Sequence, residues 1–158
     1  MNAVHGLMAT DPVYTNRVTR LIGTSTAVVL VLLGLLHVYW AAGGGWGGDV
    51  AVPQRDGRPL FQPSTAATVV VAMLLFAAAL VLVGRMGQWG AGLPRWPFVT
   101  GAWVLVAVFV GRVVGDFHWF GVFKRVTGTP FAAWDSWLYV PLCLLLALGC
   151  LVVALHAD

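Results

Sequence analysis

The stretch LIGTSTAVVLVLLGLLHVYWAA, residues 21–42, decides the fold. It contains no Asp, Glu, Lys or Arg, and about 20 helical residues suffice to cross a hydrocarbon core about 30 Å thick. Its apolar residues follow one another without the period of two that an outward-facing barrel strand requires. A membrane-spanning helix is the reading. Three further runs, Thr65 to Gly84, Phe98 to Phe117 and Leu138 to His156, are apolar in the same continuous way, with Arg112 and Asp116 as the charges within the second of them. Together they predict an all-α, polytopic membrane four-helix bundle with two long outer loops.

Composition agrees with this. Only 9% of the 158 residues are charged and 59% are hydrophobic, against about 25% charged in soluble domains. The nine basic residues are scattered and form no stripe suited to nucleic acid. Ala41-Ala42-Gly43 is small enough for signal cleavage, but the run before it exceeds the usual h-region of about 7 to 15 residues, so a retained helix is expected. Residues 1–20 read as a cytoplasmic or interfacial N-terminal segment, with a short lead-in starting at Thr10-Asp11-Pro12. Residues 21–156 read as one four-helix domain.

The three connections differ. RMGQWGAGLPRWP, residues 85–97, is a Gly- and Pro-rich turn. The other two, residues 43–64 and 118–137, are longer and hold most of the polar chemistry. Arg17, Arg20, Arg85 and Arg95 fall at helix ends on the short-turn side, and Arg55, Arg58, Lys124 and Arg125 on the other. The positive-inside rule nearly ties; the tighter placement of the first set favours cytoplasmic N- and C-termini in an inner, multi-pass membrane location. Thr129-Pro130 reads as a helix start, and Pro141, about eleven residues inside, predicts a kink or break there. The endings LHVYWAAGG and GDFHWFG suggest a weak internal repeat, too short to exclude coincidence.

Chemistry concentrates in VFVGRVVGDFHWFGVFK, residues 108–124. Arg112 and Asp116 fall at i,i+4 on one expected helix face. Acid after base is the weaker order for helix stability, so a tertiary role is expected, with both residues facing the bundle and compensating each other. His37, Tyr39 and Trp40 at the end of helix one suit an interfacial aromatic belt as well as a site. With Asp49, Lys124, Asp135 and Tyr139 they complete a polar constellation at the outer helix ends, in which charges of both signs could neutralise each other. The expected ligand-binding set is His37, Tyr39, Trp40, Arg112, Asp116, Lys124, Asp135 and Tyr139.

No cofactor or metal is expected. A haem held by His37 and His118 is the sharpest metal alternative, weakened by the placement of His118 at the membrane edge and by the missing c-type attachment sequence. Cys143 and Cys150 are seven residues apart on one helix, too far for an intrahelical disulfide. Common nucleotide-binding and hydrolase motifs are absent from the sequence.

The segments LHVYWAAGGGWGGDVAVP and GRVVGDFHWFGVFKRVTGTPFAAWDSWLYVPLC, in this order, resemble a small bacterial, especially actinobacterial, four-helix membrane family, domain of unknown function 3995. The resemblance covers about residues 20–155. It implies the same four-helix layout, assigns no activity, and emphasises His37, Trp40, Arg112, Gly115, Asp116, Phe117, Gly121, Lys124, Thr129, Phe131, Asp135, Tyr139 and Pro141. It supplies no fixed histidine at His118. Binding of a small or lipid-like ligand, or of a partner protein, in an outer-leaflet pocket is the leading expectation. The alternatives are a membrane-embedded enzyme acting on a lipid or isoprenoid, a small oligomeric transporter and a structural accessory subunit. Helix two and the inner halves of helices three and four lack the ionisable path that transport requires.

Overall fold

The structure, a computed structural model, describes residues 12–55 and 57–157. Its elements are α1 (Pro12–Ala41), α2 (Gly48–Ala51), β1 (Gln54–Arg55), β2 (Arg58–Pro59), α3 (Thr65–Arg85), α4 (Trp96–Val114), α5 (Pro130–Trp134), a π turn (Asp135–Tyr139) and α6 (Val140–His156). Four helical stretches among the described residues are long and apolar enough to span a bilayer: α1, α3, α4, and the continuous run from α5 through α6. The strands form a two-stranded antiparallel ribbon within the first long loop.

α1 packs against α3 and α6, and α4 packs against α3 and α6. The helices therefore form an up-and-down ring, with α1 and α4 on one diagonal. Small residues fill its interior: Ala27, Ala78, Ala79 and Ala147 are buried beside Leu30, Leu82 and Val153, whereas Leu21, Leu74 and Leu145 face outwards. That distribution suits a bilayer, where hydrophobicity cannot drive helices together and close backbone approach must do so. Gly149 illustrates it, because any Cβ there would collide with the Thr26 side chain of α1.

The helix ends follow local chemistry. Ser64 caps α3 by accepting the Ala67 N–H at 3.2 Å, and Thr129 caps α5 by accepting that of Ala132 at 3.1 Å. α1 begins at Pro12 and runs on without interruption, so residues 12–20 continue that helix rather than forming a separate lead-in. Thr10 and Asp11 lie outside the described residues. α4 stops at Val114, three residues before the expected end, because Gly115 takes a positive φ of 87°, as glycine does at many helix C-termini. Apolarity alone carried the expected helix across that glycine.

The chain also stays helical from Pro130 to His156, with no break at Pro141. The disturbance takes the form of the π turn just before it, where the Val140 N–H reaches the Asp135 carbonyl five residues back. A proline cannot supply an α-helical bond and crowds the carbonyl four residues earlier. The wider turn accommodates that fault locally, as single π turns inside helices do.

Candidate functional site

Asp135 is the first residue of the π turn, and its side chain is fully buried. One carboxylate oxygen accepts Arg112 Nη2 at 2.6 Å; the other accepts Lys124 Nζ at 3.1 Å and the Gly121 N–H at 2.8 Å. Lys124 also donates to Ser136 Oγ at 2.7 Å and to the Gly121 carbonyl at 3.3 Å. Arg112 stacks over Phe120, with its guanidinium carbon 4.5 Å from the ring centre. Two cations thus enclose one buried anion, joining α4, the second long loop and the last helix. Separating these charges would leave one of them in a low dielectric, which makes the cluster an all-or-none lock on the loop.

Asp116 has a different role from the one its spacing suggests. With α4 ending at Val114, it lies beyond the helix, and its partner is not Arg112. Its Oδ1 accepts the backbone N–H groups of His118, Trp119 and Phe120 at 3.0, 2.7 and 3.0 Å. Its slight burial works to raise its pKa, but these bonds together hold it below the ordinary aspartate value. Phe117, between acid and donors, has a positive φ of 62°, an uncommon conformation for a bulky residue. The turn closes where Gly115 and Gly121 meet backbone to backbone, and the Val122 N–H reaches the Val113 carbonyl at 2.8 Å.

The aromatic members of the expected set lie elsewhere. His37 Nδ1 bonds the Leu33 carbonyl at 2.8 Å, and its ring packs edge-on against Trp40 with centres 5.0 Å apart. A carbonyl only accepts, so Nδ1 is the donor in this bond, and in the neutral form of the ring the lone pair lies on Nε2. Trp40 Nε1 donates to the Trp46 carbonyl at 2.8 Å, while the Tyr39 hydroxyl accepts the Trp46 N–H at 3.3 Å, fastening the glycine-rich turn to α1. Tyr139 donates from its hydroxyl to the Val50 carbonyl at 3.1 Å, tying the last helix to α2.

His37 and Trp40 border a cavity of about 420 Å³ between the loop-side ends of α1 and α3, with Phe61, Ala67, Thr68 and Val71 on its other walls. His118 lines a different groove of about 490 Å³, beside Arg55 and Thr129, so the two histidines considered for haem open onto separate spaces. Among the described residues, no cluster of three or more His, Cys, Asp or Glu side chains is placed to hold a metal ion.

The constellation thus divides. Arg112, Lys124 and Asp135 come together, whereas Asp116 closes a turn and His37 and Trp40 face the α1–α3 cavity; Tyr39 and Tyr139 serve as struts. Neither Ser136 nor the walls Ala67 and Thr68 were expected at a site. The first belongs to a long-range contact and the others look like ordinary helix residues, so sequence spacing carried no signal for them.

These elements define a multi-pass helical membrane protein whose long-loop side is fixed by a buried ion cluster. The chain matches, over residues 30–150, the family described as a protein of unknown function, DUF3995, and belongs to it. No curated protein and no solved structure matches the chain.

Proposed function

We propose that this protein binds a small lipid-like molecule in the α1–α3 cavity, on the side of the membrane that carries its long loops. The observation that carries this reading is the cavity itself. Its volume of about 420 Å³ falls in the range of about 300–1,000 Å³ usual for ligand sites, and its walls are mostly apolar with one imidazole among them. The ion cluster supports the same reading by a different route. Asp135 has both oxygens engaged and Lys124 is nearly buried, so the cluster is better suited to holding loops than to receiving substrate.

We place the long loops outside the cell's inner membrane and the chain termini in the cytoplasm. Arg17, Arg20 and Arg85 lie within α1 and α3, and Arg95 caps α4, all at the opposite end of the bundle. The cavity then opens at the outer leaflet. A second reading, an enzyme acting on the bound lipid, is favoured by one feature: the lone pair on His37 Nε2 could accept a proton from a substrate hydroxyl.

The test is retention of lipid. Protein purified in mild detergent and examined by native mass spectrometry should carry a lipid adduct, and Ala67→Trp, which fills the cavity, should remove it. Equal adduct on both proteins would overturn the proposal. Conversion of that lipid during incubation with wild-type protein but not with His37→Phe would favour the enzyme reading.

A further inference from the structure

The α1–α3 cavity does not end at its apolar walls. Gly48, Val52, Phe61 and Pro63 also line a second hollow of about 550 Å³ on the loop side, so the two spaces adjoin across a shared partition. The second hollow is bordered by Asp49, Gln54 and Gln62. One space is thus set against helices with a single imidazole in its wall, and the next is formed by loop and, although its walls are also largely apolar, carries three polar side chains. Such a pair fits an amphiphile.

The chemistry of the lining narrows its head group. Gln54 uses its amide nitrogen on the Asp49 carbonyl at 2.6 Å, leaving its side-chain oxygen as an acceptor. Asp49 offers a carboxylate with no side-chain partner among the described residues, and His37, with Nδ1 donating to Leu33, offers a lone pair on Nε2 when the ring is neutral. Each of the three thus presents an acceptor, and Gln54 keeps a second amide N–H beside its oxygen. No Lys or Arg among the described residues lines either space, although phosphate recognition ordinarily relies on those side chains. A phosphate would meet the Asp49 carboxylate without a compensating cation.

We infer that the ligand is an uncharged amphiphile with a hydroxyl-bearing head, such as a monoacylglycerol, whose chain lies along Ala67 and Val71 and whose two hydroxyls bond among His37, Gln54 and Asp49. This inference rests on reading the cavity as a lipid site and specifies the lipid's class. The two free hydroxyls of a monoacylglycerol supply donors to two of these three acceptors at a time. They also do so at His37 without carrying a charge into the apolar space, which an ammonium head would have to do.

The experiment uses three probes with the same acyl chain: monooleoylglycerol, oleoyl lysophosphatidate and oleoyl lysophosphatidylethanolamine. Each is titrated into the full-length protein in detergent and binding is followed by native mass spectrometry. The expected result is at least about tenfold tighter binding of monooleoylglycerol than of either phosphate-bearing probe. His37→Phe should weaken monooleoylglycerol about five- to tenfold, the worth of one neutral hydrogen bond, and leave the other two unchanged. Equal affinity for the three probes, or preference for a phosphate-bearing one, would overturn the inference. The comparison of probes on wild-type protein stands even if the variant fails to fold. Loss of a phosphate-bearing lipid on Ala67→Trp would sustain the cavity as a lipid site while overturning its assignment to uncharged lipids; indifference of every lipid to Ala67→Trp would remove the cavity reading itself.

Discussion

Arg112 and Asp135 lie 23 positions apart in sequence and meet at 2.6 Å, whereas Asp116, one helical turn from Arg112 by spacing, is held by backbone N–H groups instead. The charge pair that i,i+4 spacing suggested within one helix is thus a pairing between helices. It is completed by Lys124, so removing members of the cluster has unequal consequences. Asp135→Leu leaves two cations without their anion, and we expect a loss of about 3 to 5 kcal/mol in detergent unfolding followed by tryptophan fluorescence. Arg112→Met with Asp135→Leu should recover only part of that loss, because the Lys124 charge and the Gly121 N–H still lack their carboxylate, Lys124 keeping only the neutral acceptors Ser136 and the Gly121 carbonyl; adding Lys124→Met should recover more. Asp116→Leu should cost less, about 0.5 to 2 kcal/mol, as the loss of a cap does. If Asp116→Leu were as damaging as Asp135→Leu, this account of the cluster would be wrong.

The Asp116 turn should respond to acid. Its folded-state pKa is lowered by the bonds from His118, Trp119 and Phe120, so the ionised acid stabilises the folded turn. That contribution is fully present above the unfolded aspartate value of about 3.9 and is lost as pH falls through the lower folded value. Amide exchange protection at 118–120, measured by NMR in detergent, should be steady at pH 5 to 7 and fall below about pH 4. Asp116→Asn should flatten this acid response while leaving the rest of the bundle protected.

Much of the fold was legible because a bilayer makes one demand of every span. The absence of charges over residues 21–42 was enough to place α1 across the membrane, and Thr129 marked the start of α5, where the structure has its cap. The end of α4 was misplaced because hydropathy continues through Val113, Val114 and Phe117, while backbone geometry changes at Gly115. The signal was present in that glycine, but it is a signal of conformation and not of polarity. The Arg112–Asp135 pair was only half legible: spacing reports neighbours along one helix, and partners on different helices are chosen by packing. The cavity was not legible, since nothing distinguishes Ala67 or Val71 from other small and apolar residues of α3 until His37 and Phe61 stand opposite them.

Glycines of different surroundings should respond differently to one added methyl. Gly115→Ala places a Cβ against the Phe120 carbonyl in a backbone of positive φ, and Gly149→Ala places one against Thr26. Each should lower stability, Gly115→Ala by about 1 to 3 kcal/mol or more. Gly111→Ala has open space around it within α4, and should be neutral or stabilising by up to about 1 kcal/mol from helix propensity. Thermal unfolding of the three variants in one detergent checks the ranking. Destabilisation by Gly111→Ala equal to that of Gly115→Ala would mean that helix packing outside this bundle, such as a second copy on α4, covers Gly111.

Orientation can be tested against the same structure. Arg17, Arg20, Arg85 and Arg95 lie within helices or at a cap on the short-turn side. On the long-loop side, Arg112 and Lys124 are engaged by the buried Asp135, leaving Arg55, Arg58 and Arg125 as the basic residues of the loops outside that cluster. The positive-inside rule weighs basic residues close to span ends, and the four turn-side arginines are the better placed. Starting from a Cys143→Ala, Cys150→Ala background, single cysteines at Gly45 and Val122, both exposed, should react with a membrane-impermeant maleimide applied to intact cells. A cysteine at Gly92, in the exposed turn between α3 and α4, should react only after the membrane is opened. The reverse pattern would invert the protein and place the α1–α3 cavity in the cytoplasmic leaflet, and labelling of all three positions in intact cells would contradict an odd number of spans between Gly45 and Gly92.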